Sequence, residues 1–179
     1  MGLRINTELL RRVVWDVRDP LESLMLSPPD DPPDREQVSA WLGGATDPFE
    51  VARIIWERAK NPTPPQERDW ARPVVFADAS FLTLVLPVSD EVHRLFGRAT
   101  REIRILSGAS LRQLMEAIRC FYDTPLSEED LEAASQAGIR ARLPRKRLQV
   151  TWKDLVECFR FQVDVIEVVG DHLELHLGS

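Results

Sequence analysis

The chain has 179 residues, and 44% of them are hydrophobic, which is enough apolar material for one folded domain spanning residues 1–179. The formal net charge of -6 disfavours general nucleic-acid binding and adsorption to anionic membranes. Two cysteines are too few for a disulfide framework or a zinc site, so we expect a reducing, intracellular and cytoplasmic setting. No secretory signal is seen, and the longest apolar run, 81–88, is far below the ~20 residues of a membrane span.

The N-terminal part of the chain is predicted to contain short helices joined by extended and proline-rich segments. A short helix is expected over 7–14, followed by an extended Trp15-Asp16-Val17 element. Residues 27–34 (SPPDDPPD) hold four prolines and three aspartates, which predicts a surface loop of polyproline character. A short helix is then expected from Asp34 to Leu42.

Asp47 is predicted to cap the next helix, with Pro48 at its favoured first position. Its apolar spacing predicts a buried stripe formed by Phe49, Ala52, Ile55, Trp56 and Ala59. A second proline-rich loop is predicted over 61–73. It carries Trp70, which either anchors the loop to the body of the protein or contacts a partner.

Strands are predicted at 74–76 and 81–86. The second is almost entirely apolar, so we expect it to be central in its sheet. A short helix capped by Ser89 is expected to follow, through about Arg98.

The clearest local signals lie between Ile103 and Gly138. Alternating residues predict a strand over 103–106, and Ser110 with Gln113 forms a capping box for an amphipathic helix. Pro125 ends that helix, and a second one follows up to Gly138, which gives a helical hairpin over 111–137. Cys120 falls on the polar side of the first helix.

The C-terminal segment is predicted to form a β-hairpin over 161–177. Gly170-Asp171 has glycine first, which suits a type II′ turn. Before it, a strand is expected over 148–150, and Thr151 is expected to cap a helical turn. Together these elements predict an α+β fold, in which the helical hairpin covers one face of a small, mostly antiparallel sheet made of the strands at 74–76, 81–86, 103–106, 148–150 and 161–177.

No catalytic, cofactor-binding or metal-binding motif is found. His172 and His176 are four residues apart, but on a strand this spacing separates them by about 13 Å, too far to bind one ion together. The turn from Ser107 to Ser110 matches an anion-binding loop only weakly. We therefore expect no cofactor and no metal.

A basic segment follows the helical hairpin. Its charged residues are Arg140, Arg142, Arg145, Lys146 and Arg147. Such a run either binds an anion or an acidic partner, or acts as a nuclear-import signal. It is also explained as a solvated loop that balances the acidic helix start at 128–132, and we favour that interpretation.

The order of three features resembles a known family. Trp15-Asp16-Val17 near the start, a strand leading into LRQLMEAIRCFYDTPLSEEDL, and a hairpin ending LHLGS are similar to a small uncharacterised domain of fungal proteins and of large DNA viruses of eukaryotes. The resemblance covers mainly residues 103–179. It implies a viral or lower-eukaryotic origin and a role in a virion or another assembly, and it implies no site residues.

The prediction for function is therefore a non-enzymatic interaction or structural module with a protein partner or with itself. The motivating features are the missing catalytic set, the two proline-rich loops and five tryptophans. Residues predicted to take part are Trp41, Trp70, Cys120, Arg140, Arg142, Arg145, Lys146 and Arg147. One alternative is a small enzyme that uses His93, Cys120 or the edge from Asp171 to His176. The other alternative is an anion or nucleic-acid contact through residues 140–147.

Overall fold

The computed structural model describes residues 2–29, 38–39, 42–58, 61–87, 100–136, 149–156 and 162–178. The predicted helix at 89–98, the basic segment 140–147, Trp41, and most of the predicted loop 27–34 and helix 34–42 lie outside these residues. Helices are α1 (Thr7–Leu10), α2 (Pro48–Arg58), α3 (Glu67–Ala71), α4 (Leu111–Asp123) and α5 (Glu128–Gln136), with 3-10 turns at Leu21–Ser23 and Trp152–Leu155. Strands are β1 (Arg4–Ile5), β2 (Val13–Val14), β3 (Met25–Leu26), β4 (Val75–Phe76), β5 (Phe81–Pro87), β6 (Thr100–Leu106), β7 (Gln162–Val169) and β8 (His172–Gly178).

The largest sheet has four strands in the order β6-β5-β8-β7. The pairs β5–β6 and β7–β8 are antiparallel, whereas β5 and β8 run parallel. The central position predicted for 81–86 is confirmed, because β5 lies between β6 and β8. The sheet is mixed, and together with its helices it gives the predicted α+β fold.

The sequence predicts one sheet, but two of the segments assigned to it, 75–76 and 149–150, are not part of the four-stranded sheet. β4 pairs with β1 in a separate two-stranded sheet, and β2 pairs with β3 in another. Residues 149–150 form no strand. The backbone of Val150 accepts a bond from Leu126 N, so this segment is held by the connection between α4 and α5 rather than by a ladder.

The β7–β8 hairpin follows the predicted turn. Gly170 has a φ of +61°, whereas Asp171 has a negative φ, as a type II′ turn requires. Val169 pairs with His172 beside the turn, and Glu167 pairs with Glu174 two residues further on. An irregularity between Val163 and Val165 shifts the register by one residue near the far end.

Helix α4 supplies much of the core on the inner side of the sheet. Ser110 and Gln113 form the predicted capping box, with Gln113 N donating to Ser110 Oγ at 3.3 Å. The predicted stripe is confirmed, since the buried residues of α4 are Leu111, Leu114, Met115, Ile118, Phe121 and Tyr122. Tyr122 donates its hydroxyl proton to the carbonyl of Pro87, which ties the helix to the end of β5.

The Trp15 element closes the core from the N-terminal side. Trp15 is 2% exposed, and its indole Nε1 donates to the carbonyl of Pro20 at 3.3 Å. Its own carbonyl accepts a bond from Val163 N, and Asp16 forms a bridge with Gln162. The predicted extended element therefore lies against the start of β7.

Three local predictions need correction. The helix expected over 7–14 ends at Leu10, because the β-branched Val13 and Val14 pair with β3 instead. The stretch 61–73 is not all loop, since it contains α3. Phe49 was expected to be buried but is 86% exposed. Periodicity is a property of the helix alone, and burial also needs a neighbouring element at that turn.

No helix among the described residues is both long enough and apolar enough to cross a membrane.

Candidate functional site

The four-stranded sheet has one face packed on the core and one face turned away from it, which we call the outer sheet face. Register and alternation place on this face Phe81, Thr83, Val85, Glu102, Arg104, Leu106, Val165, Glu167, Val169, His172, Glu174 and His176. The residues between them on β5 and β8, such as Leu84 and Leu173, are 0% exposed. Strand alternation thus sends the polar half of each strand, with a few apolar side chains, to this face.

Exposed apolar side chains form one end of the outer sheet face. Phe81 and Leu106 are directly paired across β5 and β6, and they are 48% and 51% exposed. The guanidinium of Arg104 lies 4.8 Å from the centre of the Phe81 ring. A half-exposed aromatic ring under an arginine is a contact type that is enriched at protein interfaces.

A row of carboxylates crosses the middle of the same face. Glu102 pairs with Val85, Val85 pairs with Glu174, and Glu174 pairs with Glu167, so three acidic residues lie at one level across the four strands. Like charges directly opposite each other on neighbouring strands are destabilising. A positively charged group beside the pair Glu167–Glu174 is therefore stabilising.

Two histidines flank this acidic pair. His176 Nε2 lies 2.9 Å from Glu167 Oε1 and 3.8 Å from Glu174 Oε2. His172 Nε2 lies 3.0 Å from Glu174 Oε1, and its Nδ1 lies 3.3 Å from Asp171 Oδ1. Each oxygen of Glu174 thus faces a different histidine.

The contacts of His172 bear on its protonation. Hydrogen bonding to Glu174, and then to Asp171, raises the pKa of His172 above its usual value, and desolvation opposes this only in part. Both ring nitrogens face carboxylate oxygens, and only the imidazolium form can donate from both. The charged form of His172 is therefore favoured on this face.

Glu167, Glu174 and His176 together form a group that could hold a metal ion. One ligand atom from each lies within 4.8 Å of the others. His172 is not part of this group, which agrees with the argument that His172 and His176 cannot share one ion. The partner that sequence reasoning missed is Glu167, which the hairpin register brings opposite Glu174.

The predicted interaction residues that the structure describes lie elsewhere. Trp70 is partly buried, packs against the core, and has the guanidinium of Arg112 5.0 Å from its ring centre. This agrees with the anchor interpretation of Trp70. Cys120 is exposed on α4, as its place on the polar side predicts. The neighbouring Arg119 is bound to Asp123 and Glu22.

Two clefts lie away from the outer sheet face. One, of about 340 Å³, lies between α3 and the N-terminal segment and is lined by Arg12, Arg68 and Arg72 among others. Arg12 donates to the carbonyl of Ser27, and Arg72 pairs with Glu8, so two of the three arginines bind groups of the protein itself. The other, of about 320 Å³, lies between the Trp15 element and the start of β7.

Neither of these clefts includes Cys120 or the edge from Asp171 to His176. These two clefts therefore give no support to the alternative of an enzyme site assembled from those residues. His93 lies outside it.

Comparison with known proteins gave no relatives: no family model, no curated protein and no solved structure matches the chain. The resemblance to a fungal and viral domain stays a prediction.

Proposed function

We propose that this protein is an interaction module that binds a protein partner, or a second copy of itself, through the outer sheet face. The observation that carries this proposal is the exposed pair Phe81–Leu106, on a sheet whose other face contributes Leu84, Leu86 and Leu173 to the core. Apolar side chains that a fold leaves in water on a regular, rigid surface are typical of a binding face.

The composition of the outer sheet face supports this proposal. Its apolar end has Phe81 with Arg104 above it, and aromatic residues and arginine are the types enriched at interfaces. Its middle carries the acidic row, so negatively charged side chains are concentrated beside the apolar end. An apolar anchor beside a polar, charged area is the arrangement in which the anchor supplies affinity and the charges supply specificity.

The size of the face sets a condition on the partner. A sheet of four strands, each about seven residues long, presents roughly 20 Å by 23 Å, or about 450 Å² in projection. A standard specific interface takes about 800 Å² of accessible surface from each partner. We therefore expect loops at the rim of the sheet to contribute to the contact, or the complex to be transient.

The test replaces the apolar end of the face and leaves the core alone. In the double variant Phe81→Asp/Leu106→Asp, two charges are placed where the partner would be desolvated, so binding should fall at least ~100-fold, as expected when buried anchors are lost. The matched control is Phe49→Asp, because Phe49 is 86% exposed but lies on α2 rather than on the sheet. Self-association is followed by sedimentation, and partner capture by affinity purification from the protein's own source with mass spectrometry.

The proposal predicts that the wild type and Phe49→Asp retain the same partner, or the same oligomer, and that the double variant loses it. Circular dichroism and thermal unfolding of all three proteins confirm that the fold is kept. A wild type that sediments as a monomer and retains no protein contradicts the proposal. Retention of the same partner by the double variant contradicts it as well.

The same surface would suit a subunit of a larger assembly, which is the role that the resemblance to viral and fungal domains implies. A contact to nucleic acid or another anion through Arg140 to Arg147 remains the competing proposal. Neutralising the five basic residues of that segment would remove salt-dependent binding if the competing proposal holds, and would leave partner retention unchanged if the outer sheet face is the contact.

A further inference from the structure

We propose that the β7–β8 hairpin holds a zinc ion between Glu167, Glu174 and His176. This inference stands on the geometry of three side chains and does not depend on the outer sheet face binding a protein.

The ligand atoms are already close to the separations that zinc requires. Tetrahedral zinc binds nitrogen and carboxylate oxygen at about 2.0–2.1 Å, so two of its ligand atoms lie about 3.3 Å apart. His176 Nε2 is 2.9 Å from Glu167 Oε1 and 3.8 Å from Glu174 Oε2, on either side of that value. All three atoms lie within 4.8 Å of one another. Small side-chain rotations would bring the three atoms to the separations that zinc requires.

The backbone holds these groups in place. Glu167 and Glu174 are paired across the hairpin, and His176 is two residues beyond Glu174 on the same face. The alternate residues Leu173 and Leu175 are 0% and 3% exposed, so the strand cannot rotate without exposing core leucines. The site therefore stands on a rigid hairpin rather than on a loop.

The charges favour a cation at this position. Two carboxylates face each other across neighbouring strands, and a divalent ion removes their repulsion and gains two negative ligands. The imidazole nitrogen selects against Ca²⁺ and Mg²⁺, which prefer oxygen ligands, and mixed nitrogen and carboxylate ligands suit zinc. Three protein ligands leave the fourth position of zinc open to water.

His172 acts here as a positioning residue. It binds Oε1 of Glu174 at 3.0 Å, which leaves Oε2 turned towards His176. A side chain that orients a ligating carboxylate in this way typically changes metal affinity ~10–100-fold when it is removed. His172 should therefore affect zinc affinity without binding the ion.

The experiment titrates the purified protein with ZnCl₂ alone near neutral pH and measures binding by isothermal titration calorimetry. The wild type should bind one ion per chain at this site. His176→Ala and Glu167→Gln should each abolish that binding, and His172→Gln should weaken it about tenfold. The ligands lie at the surface, with His176 46% and Glu167 52% exposed, so these variants should keep the fold.

Two controls separate this site from other donors. Glu102→Gln makes the same charge change on the same sheet face, but strands β5 and β8 lie between it and Glu167, and it should leave zinc binding unchanged. Cys120→Ser removes the exposed thiol and should also have no effect. Thermal unfolding gives an independent readout, since zinc should raise the Tm of the wild type and of both controls but not that of His176→Ala.

Absence of binding by the wild type at up to about millimolar Zn²⁺ overturns the proposal. Binding that persists unchanged in His176→Ala overturns it too, because the ion would then be held by other donors.

Discussion

The two faces of the four-stranded sheet are formed by the same strands, but their side chains differ in burial. On the inner face Leu84, Leu86 and Leu173 are 0% exposed and belong to the core with α4. The outer sheet face carries the exposed Phe81, the acidic row and the two histidines. Strand alternation alone separates a surface that forms the core from one that is turned away from it.

The difference has an energetic meaning. Burial of an apolar side chain contributes about 1.5–3 kcal/mol to stability, whereas exposed side chains on the same strand contribute little. Side chains on the outer sheet face can therefore be changed with small effects on folding. This makes Phe81 and Leu106 suitable for testing function, and it makes inner residues suitable for testing the fold.

The largest expected effect comes from one pair of matched substitutions. Leu84→Ala removes a side chain that is 0% exposed and should lower the free energy of unfolding by about 2–5 kcal/mol, because it leaves a cavity in the core. Leu106→Ala makes the same chemical change at a side chain that is 51% exposed, and it should cost about 1 kcal/mol or less. Urea unfolding measures both. Equal costs would show that the outer sheet face is covered in the folded protein.

Tyr122→Phe tests the link between α4 and β5. Tyr122 is 0% exposed, and its hydroxyl donates to the carbonyl of Pro87. Removal of the donor leaves that carbonyl without this bond, so the variant should lose about 1–2 kcal/mol by urea unfolding. Burial raises the pKa of Tyr122 well above its usual value, so the phenol should not ionise before the protein unfolds in alkali. A titration of phenolate absorbance in the folded protein at lower pH would contradict this.

Ser110→Ala tests the start of α4. The side chain of Ser110 accepts the bond from Gln113 N, and its loss should cost about 1 kcal/mol. Ser110→Gly, which is better tolerated at an N-cap, should cost only a few tenths of a kcal/mol. If Ser110→Ala is as stable as the wild type in thermal unfolding, the capping box does not stabilise this helix.

The smallest effect is the dependence of stability on the protonation of His172. Its pKa is raised in the folded protein by Glu174 and Asp171. A raised pKa adds stability that is complete below the unfolded value of about 6.5 and is lost as the pH rises through the folded value. The wild type should thus exceed His172→Gln in Tm below about pH 6.5, and the two should converge in alkali. A difference that grows with pH would contradict the contacts assigned to His172.

Much of the local structure could be predicted from the sequence. The capping box at Ser110 and the apolar spacing that follows it predict α4, because both signals are made within one helix. Gly170-Asp171 predicts the turn for the same reason. The register follows from the turn: if residues 169 and 172 pair, then Glu167 must lie opposite Glu174. The acidic pair Glu167–Glu174 can therefore be predicted from the sequence, but only when the register is extended from the turn, a step that the sequence analysis above does not take.

Other features could not be predicted, because they depend on contacts between distant segments. The parallel pairing of β5 with β8 joins Val85 to Glu174, which are far apart in the chain, and no local pattern specifies it. Residues 75–76 lie outside the main sheet because they pair with Arg4–Ile5. No local pattern specifies that pairing either. The row that joins Glu102 to Glu167 is therefore visible only in the folded structure.

Hydroxyl-radical footprinting of the protein, alone and in its assembled state, tests the division between the two faces most directly. The account predicts that Phe81 and Leu106 are oxidised in the isolated protein and protected in the assembly, while the exposed Phe49 is oxidised equally in both states. Protection of Phe49 or of the α4 surface around Cys120, with Phe81 and Leu106 still oxidised, would contradict it.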